Sequence, residues 1–313
     1  MSRLSSLTSD PIIKEFSQGV AQDNVQPVAE FLAPTVQVPT MVGRYKKYTE
    51  KNRFRLPNTL RSLGGRASEL KFDVTDDTYN CEPHALDYPV DNLEQMEAEG
   101  LTNLLKEGAT AVAEVAGLVH EKTVIDSALA AAGAGTAKTW NSSADPIADL
   151  DKITLEILRK CAFGSIMNVG VLFGPNAWEI FKNQANVRGR YIVGNNKTGN
   201  TQVPTEANAN ELLLGKPEIR VSFMVHDEAP EGKAASNAFL MTNSILVFAR
   251  KAAPSRRDPS FMKTFRLRGQ WMVPRQYQRD DGRVDVAGFD WTSDVKVTNS
   301  AAAIRITIST ATS

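Results

Sequence analysis

Residues 72–91 read FDVTDDTYNCEPHALDYPVD. Within them, Tyr79 to Asp87 gathers a thiol (Cys81), an imidazole (His84) and two carboxylates (Glu82 and Asp87). These are the side chains of zinc ligands and of nucleophile–base pairs. Backbone geometry argues against chemistry. Pro83 biases Glu82 toward an extended conformation, and residues three apart on an extended chain point to opposite faces. Cys81 and His84 then diverge, one as a packed thiol and the other as a surface histidine. A structural zinc site needs four N/S ligands and a catalytic one three plus water. The remaining histidines are His120 and His226 and the remaining cysteine is Cys161; none has the spacing of a companion pair. HExxH, GxSxG and GxGxxG do not occur. The run GAGTAKT, Gly133 to Thr139, lacks a glycine directly before Lys138 and follows a helical pattern instead of a strand, so it does not read as a phosphate loop. No catalytic residue, cofactor or metal is expected.

The acids of the stretch belong to a larger charge pattern. The 313-residue chain carries 36 Lys+Arg and 36 Asp+Glu, so it lacks the basic excess of a general nucleic-acid binder. The charge is nonetheless segregated. Gly43 to Lys71 holds nine Lys/Arg against two Glu, a balance of 9 − 2 = +7, while Phe72 to Glu99 holds nine acids and no Lys or Arg. Adjacent blocks of opposite sign suit self-complementarity, the basic block of one copy meeting the acidic block of another. A hydrophobic content of 42% supports a sizeable core, and no apolar run approaches a membrane span. The N-terminus lacks the plan of a secretory signal. Two cysteines 80 residues apart suit free thiols in a reducing compartment.

Outward from the stretch, residues 1–40 read as an arm with one short helix opened by Asp10-Pro11. GRYKKYT and LKFDVTDDTY have strand character and enclose the turn-rich LPNTLRSLGGR. Residues 41–91 are thus one long two-stranded excursion, and an isolated hairpin is only marginally stable in water. Residues 92–132 carry apolar side chains at helical spacing, about 60 Å of helix if unbroken, with Gly100, Gly108 and Gly117 expected to weaken or bend it. An α/β pattern follows: a helix opened by Asp145-Pro146, a buried strand NVGVLFG, a helix opened by Pro175, and the strands PEIRVSFMVH and NSILVFARK. The last sixty residues are β-rich, with an Asp281-Gly282 turn and a terminal AIRITIST in which Ile304, Ile306 and Ile308 face one way.

This order of arm, charged hairpin, long helix, α/β domain and β-rich close resembles the major capsid proteins of tailed bacteriophages. DPIIKEFSQGV…PVAEFLAPTVQVPTMVGRYKKYT looks like that family's arm and loop entry, and FDVTDDTYNCEPHALDYPVD like the return strand of the loop. DPIADLDKITLEILRKC…VGVLFGPNAWEIFKNQANV is similar to the start of its axial domain, and TFRLRGQWMVPRQYQRDDGRVDVAGFDWTSDVKV to its closing strands. The resemblance implies an α+β tailed-phage capsid fold: N-terminal arm (1–40), extended β-hairpin loop (41–91), long spine helix of the peripheral domain (92–135), axial domain (136–250) and closing peripheral strands (251–313). It implies a non-enzymatic subunit that forms pentamers and hexamers of an icosahedral head around double-stranded DNA. Its location would be the virion, after assembly in the host bacterial cytoplasm. Expected partners are the chain itself, a separate scaffolding protein, a portal, decoration proteins and, at the inner surface, packaged DNA bound non-specifically, with no membrane. Residues Arg44, Lys46, Arg53, Arg55 and Arg66 are expected to contact Asp76, Asp77, Glu82 and Glu94 of neighbouring copies. Arg250 to Arg283, with ten Lys/Arg against three Asp, could face packaged DNA or a neighbour's acids, and the overall neutrality of the chain favours the neighbour. The alternatives are the shell of a cellular encapsulin-type compartment and an enzyme using Cys81 and His84.

Overall fold

The computed structural model describes residues 27–47, 56, 58–61, 63–67, 69, 75–97, 101–160, 169–194, 203–230 and 232–309. In chain order the elements are α1 (Pro27–Leu32), β1 (Thr35–Val38), β2 (Val42–Lys47), β3 (Thr75–Asn80), β4 (Glu82–Asp91), α2 (Asn92–Glu97), α3 (Leu101–Ala132), β5 (Thr136–Thr139), α4 (Pro146–Lys160), β6 (Val169–Phe173), α5 (Pro175–Asn183), α6 (Ala185–Gly194), α7 (Glu206–Ala209), β7 (Glu218–Val221), β8 (Val225–Asp227), β9 (Asn237–Phe239), β10 (Ser244–Ala249), β11 (Met262–Leu267), β12 (Val273–Gln278), β13 (Val284–Val297) and β14 (Ala303–Ser309). They divide into two compact units, each with a five-stranded sheet.

The first unit draws on Met1–Gly43, Tyr79–Asp126 and Thr264–Lys296. Its sheet is organised by β13. β12 pairs antiparallel with one stretch of it, Val273–Gln278 against Asp290–Asp285, and β4 pairs antiparallel along its whole length, Glu82–Asp91 against Ser293–Val284. β11 also adjoins β13 and pairs in parallel with β1. On α3, Ala109, Val112, Ala113 and Ala116 recur at helical spacing and pack with Met272, Phe289 and Trp291. The small alanines permit close approach. Gly108, read as a weak point of the helix, has a different use: a Cβ there would lie 2.3 Å from the Tyr88 ring, so the glycine is a notch that admits an aromatic side chain from β4.

Residues 27–38 are packed instead of forming a free arm. Val28, Ala29, Phe31, Leu32 and Ala33 are buried, and Glu30 fixes the corner into β1 by accepting hydrogen bonds from the Thr35 N–H (3.2 Å) and hydroxyl (2.6 Å). The helix expected from Asp10-Pro11 lies outside the described residues.

The second unit draws on Arg44–Thr78, Ser127–Lys263 and Val297–Ser313. Its sheet runs β5-β14-β10-β6-β7. β6 and β10 are buried at every position, so each needs a partner on both edges and cover on both faces. The terminal strand meets one of those needs. β14 was grouped with the closing peripheral strands, yet it pairs antiparallel with β10 and parallel with β5, because its alternating isoleucines offer an apolar face to a strand that has no polar side. Phe173, Trp178 and Phe181 interlock beside the sheet, with centroids 5.2, 5.3 and 5.7 Å apart. Both proline-opened helices occur as expected: Asp145 Oδ1 accepts the Ala148 N–H at 3.2 Å, and Pro175 occupies the first turn of α5. PEIRVSFMVH is two strands, β7 and β8, the second of which forms a separate ribbon with β9.

Candidate functional site

The charged excursion begins at the β2·β3 pair. Tyr45 is buried, and its hydroxyl donates to Asp77 Oδ2 at 3.2 Å. Lys46 pairs with Asp76, and Lys47 Nζ lies 3.4 Å from Asp77 Oδ2. The Thr78 N–H, 2.8 Å from Asp77 Oδ1, is the main reason that carboxyl sits below the usual range. At the first unit's end of these strands, a Cβ on Gly43 would lie 2.3 Å from the Tyr79 hydroxyl. Tyr79 itself is buried and stacks on Phe265 with centroids 4.8 Å apart. The β2·β3 pair thus carries in-chain ion pairs and the buried Tyr45 and Tyr79.

These contacts sort the residues expected to bridge copies. Lys46, Asp76 and Asp77 already have in-chain partners. Arg44, Arg66, Glu82 and Glu94 are solvent-exposed. Arg53 and Arg55 lie outside the described residues. Asp87, grouped with the acidic block, is held by Arg275 Nη2 at 2.8 Å and the Tyr277 hydroxyl at 3.0 Å. The register explains that bridge. Arg275 faces Gly288, and Gly288 faces Asp87, so the arginine reaches across a strand position with no side chain.

The Cys81/His84 pair diverges as extended geometry requires. Cys81 is fully buried, its Sγ 3.5 Å from the Phe265 carbonyl, and burial pushes its thiol up to about 11, which removes the thiolate a nucleophile needs. His84 is exposed and stacks on Trp291 at 5.4 Å. Cys161 lies outside the described residues. His120 is buried and brought down to about 3, first by desolvation and then by the neighbouring Arg266 guanidinium. It receives Arg266 Nη2 at 2.9 Å. Arg266 is also clamped by Glu30 at 2.9 Å and lies 3.4 Å from the Trp271 ring centroid. This buried knot of α1, α3 and β11 was not legible as a unit; its signal was a pair of charges, Lys263 and Arg266, inside a buried strand. Lys263 is neutralised by Asp258 at 3.3 Å. Lys138 of GAGTAKT pairs with Asp149 at 3.1 Å.

No cluster of three or more His, Cys, Asp or Glu able to hold a metal occurs among the described residues, and no described helix is long and apolar enough to cross a membrane. A groove of about 830 Å³ in the second unit is lined by Asn176, Glu179, Asn183, Gln184, Asn243 and Ser309 among others. It offers amides, two hydroxyls and one carboxylate. Among the described residues, Leu56, Leu60 and Leu63 of the loop are 94%, 88% and 103% exposed.

No family profile matches the chain. A 71-residue stretch is 34% identical to the major capsid protein of Pseudomonas phage JBD67, and it spans 23% of this chain and 23% of that relative. Solved structures match almost end to end. A phage-related protein from Bordetella bronchiseptica RB50 aligns over 96% of this chain and 97% of its own, with a TM-score of 0.66 at 18% identity. The mature capsid of bacteriophage PhiM1 aligns over 88% and 84%, with a TM-score of 0.54 at 12% identity. The holo-SrpI encapsulin complex of Synechococcus elongatus PCC 7942 aligns over 90% and 88%, also with a TM-score of 0.54 at 12% identity. The chain has the tailed-phage capsid fold.

Proposed function

We propose that this chain is a major capsid protein, a non-enzymatic subunit that assembles into pentamers and hexamers and closes an icosahedral head around double-stranded DNA. The observation that carries the reading is coverage: the fold match extends over 96% of this chain and 97% of the phage-related protein, and a 71-residue stretch matches a phage major capsid protein in sequence. On this reading residues 1–40 are the arm, 41–91 the extended loop, 92–135 the spine helix of the peripheral domain, 136–250 the axial domain and 251–313 the closing strands of the peripheral domain. The loop cations Arg44, Lys46, Arg53, Arg55 and Arg66 meet acids of neighbouring copies, Asp76, Asp77, Glu82 and Glu94, the in-chain pairs of Lys46, Asp76 and Asp77 being re-shared in the shell. Assembly takes place in the host cytoplasm with a separate scaffolding protein and a portal, and the product resides in the virion, where decoration proteins add to it and its inner surface touches DNA without sequence preference. Negative-stain microscopy of the purified chain, alone and with its genomic neighbours, tests this. Closed shells or capsomer rings support it; a persistent monomer under every condition overturns it. The encapsulin match at the same TM-score favours a second reading, a cellular compartment shell. Shells that copurify with an enzyme cargo and no DNA would select it.

A further inference from the structure

The groove of the second unit is a built site that shell formation leaves unused. It lies at one end of the sheet. β14 and β6 both run antiparallel to the β10 strand between them, β5 runs with β14, and β7 runs with β6. Four of the five strands therefore share one direction. The groove is lined by Thr307, Ile308 and Ser309 at the carboxyl end of β14, by Asn243 just before β10, and by α5, which leaves the carboxyl end of β6. Open α/β sheets hold their ligands in the crevice beyond the carboxyl ends of their strands.

The walls are fixed by the chain itself. The Gly174 N–H donates to the Ser244 carbonyl at 2.9 Å, and the Ile308 N–H donates to the Asn243 carbonyl at 2.8 Å. Gly174 has no room for a side chain against the Thr242 carbonyl. At the far end of α5, Gln184 donates to the Asn141 and Ala144 carbonyls. The Thr307 hydroxyl donates to the Ala134 carbonyl at 3.2 Å, and the Ser309 hydroxyl lies 3.0 Å from that of Thr139. Four polar side chains of the lining remain. Asn176, Glu179 and Asn183, spaced three and four apart, share one face of α5, and Asn243 joins them in the lining. All four are exposed, and none has a hydrogen-bonding partner among the described residues.

The lining restricts the class of ligand. It contains no Lys, Arg or His, so it offers nothing to balance a phosphate or a nucleic-acid backbone. Both edges of β14 are already paired, with β10 and β5, so an extended peptide finds no strand to join. Carboxamides carry donors and an acceptor, and a carboxylate accepts only; together they match neighbouring hydroxyl groups, which donate and accept in turn. Ile180, half-buried in the same wall, supplies methyl surface for the C–H face of a ring. The groove volume of about 830 Å³ lies within the range of about 300–1,000 Å³ usual for small-molecule sites.

We propose that this groove binds a neutral carbohydrate, with Asn176, Glu179, Asn183 and Asn243 hydrogen-bonding its hydroxyls and Ile180 packing on its C–H face. The site lies within one unit of one subunit, so it stands or falls separately from the shell reading. Saturation-transfer NMR of the unassembled full-length chain tests it, with D-glucose, D-galactose, D-mannose and N-acetyl-D-glucosamine as probes at up to tens of millimolar. At least one sugar should show transfer. Glu179→Ala/Asn183→Ala is expected to weaken its binding about tenfold or more, whereas Lys182→Ala, on α5 but outside the lining, should leave it unchanged. Circular dichroism confirms that the variants fold, and Asn176→Ala/Asn243→Ala provides a second pair should the first not fold. Inorganic phosphate and a neutral alanine–serine pentapeptide amide are the competing probes. No transfer from any of the four sugars, transfer that survives both double variants, or binding of phosphate or the pentapeptide with no sugar overturns the proposal. None of these results touches the shell reading, which is decided by whether particles form.

Discussion

Replacing Gly288 with alanine should destabilise the first unit through one identifiable clash. A Cβ at that position would lie 2.1 Å from Asp87 Oδ1, 2.7 Å from the Leu86 carbonyl and 3.2 Å from the Asp87 carboxyl carbon. The first contact can be relieved only by swinging Asp87 away, which gives up its bridge to Arg275 at 2.8 Å and its hydrogen bond from Tyr277 at 3.0 Å. The ion pair is part-exposed, so its loss counts for no more than about 1 kcal/mol, and the tyrosine hydrogen bond for about 1 kcal/mol. The Leu86 contact is with backbone of the adjacent strand and cannot swing, and such overpacking costs about 1–3 kcal/mol. The sum is about 3 kcal/mol, a fall in Tm on the order of 6–12 °C for a domain of this size. Thermal unfolding of unassembled subunits reads it directly. The Asp87→Ala background separates the parts: there the side-chain clash is already gone, so Gly288→Ala should cost about 2 kcal/mol less than in wild type. Equal costs in the two backgrounds, or a Tm within about 1 °C of wild type for the single variant, would refute the reasoning.

Further outcomes follow from the same packing. Gly108→Ala should lower stability even though alanine is the better helix former by about 1 kcal/mol, because its Cβ meets the Tyr88 ring at 2.3 Å; in a Tyr88→Ala background the same change should stabilise, measured by denaturant titration. Glu30→Ala leaves the buried Arg266 without its carboxylate and should cost about 3 kcal/mol, whereas Glu30→Gln, which keeps an acceptor for Thr35, should cost less. Glu121 on α3 is fully buried with neither carboxylate oxygen hydrogen-bonded, and burial raises it from 4.5 to about 7. A raised carboxyl binds its proton more tightly when folded, so that stability is fully present below pH 4.5 and falls as pH rises to about 7. Tm should therefore drop across that window in wild type and much less in Glu121→Gln.

The elements most legible in the sequence were those whose signals are local. Asp145-Pro146 and Pro175 open helices because capping and a fixed φ act within one turn. β6 was readable as a buried strand and β10 as a strand. Long-range pairing was not readable. β1 joins β11 in parallel across most of the chain, and β14 crosses into the second sheet, because only tertiary burial distinguishes these edges from others. The charged block pattern was correct as composition. The hairpin register then consumes part of it, matching Lys46 to Asp76 and Lys47 to Asp77. One glycine misled: Gly108 read as weakness and proved to be a clearance for Tyr88. The Cys81/His84 separation was legible, since it needs only the alternation of an extended strand.

Cryo-electron microscopy of the purified full-length chain, assembled alone or with the proposed scaffolding partner, tests the proposed shell function directly. The account predicts closed icosahedral particles containing both fivefold and sixfold capsomers, with density for each loop tip crossing onto a neighbouring copy. Particles limited to monomers or small closed oligomers at every concentration and ionic strength would contradict it.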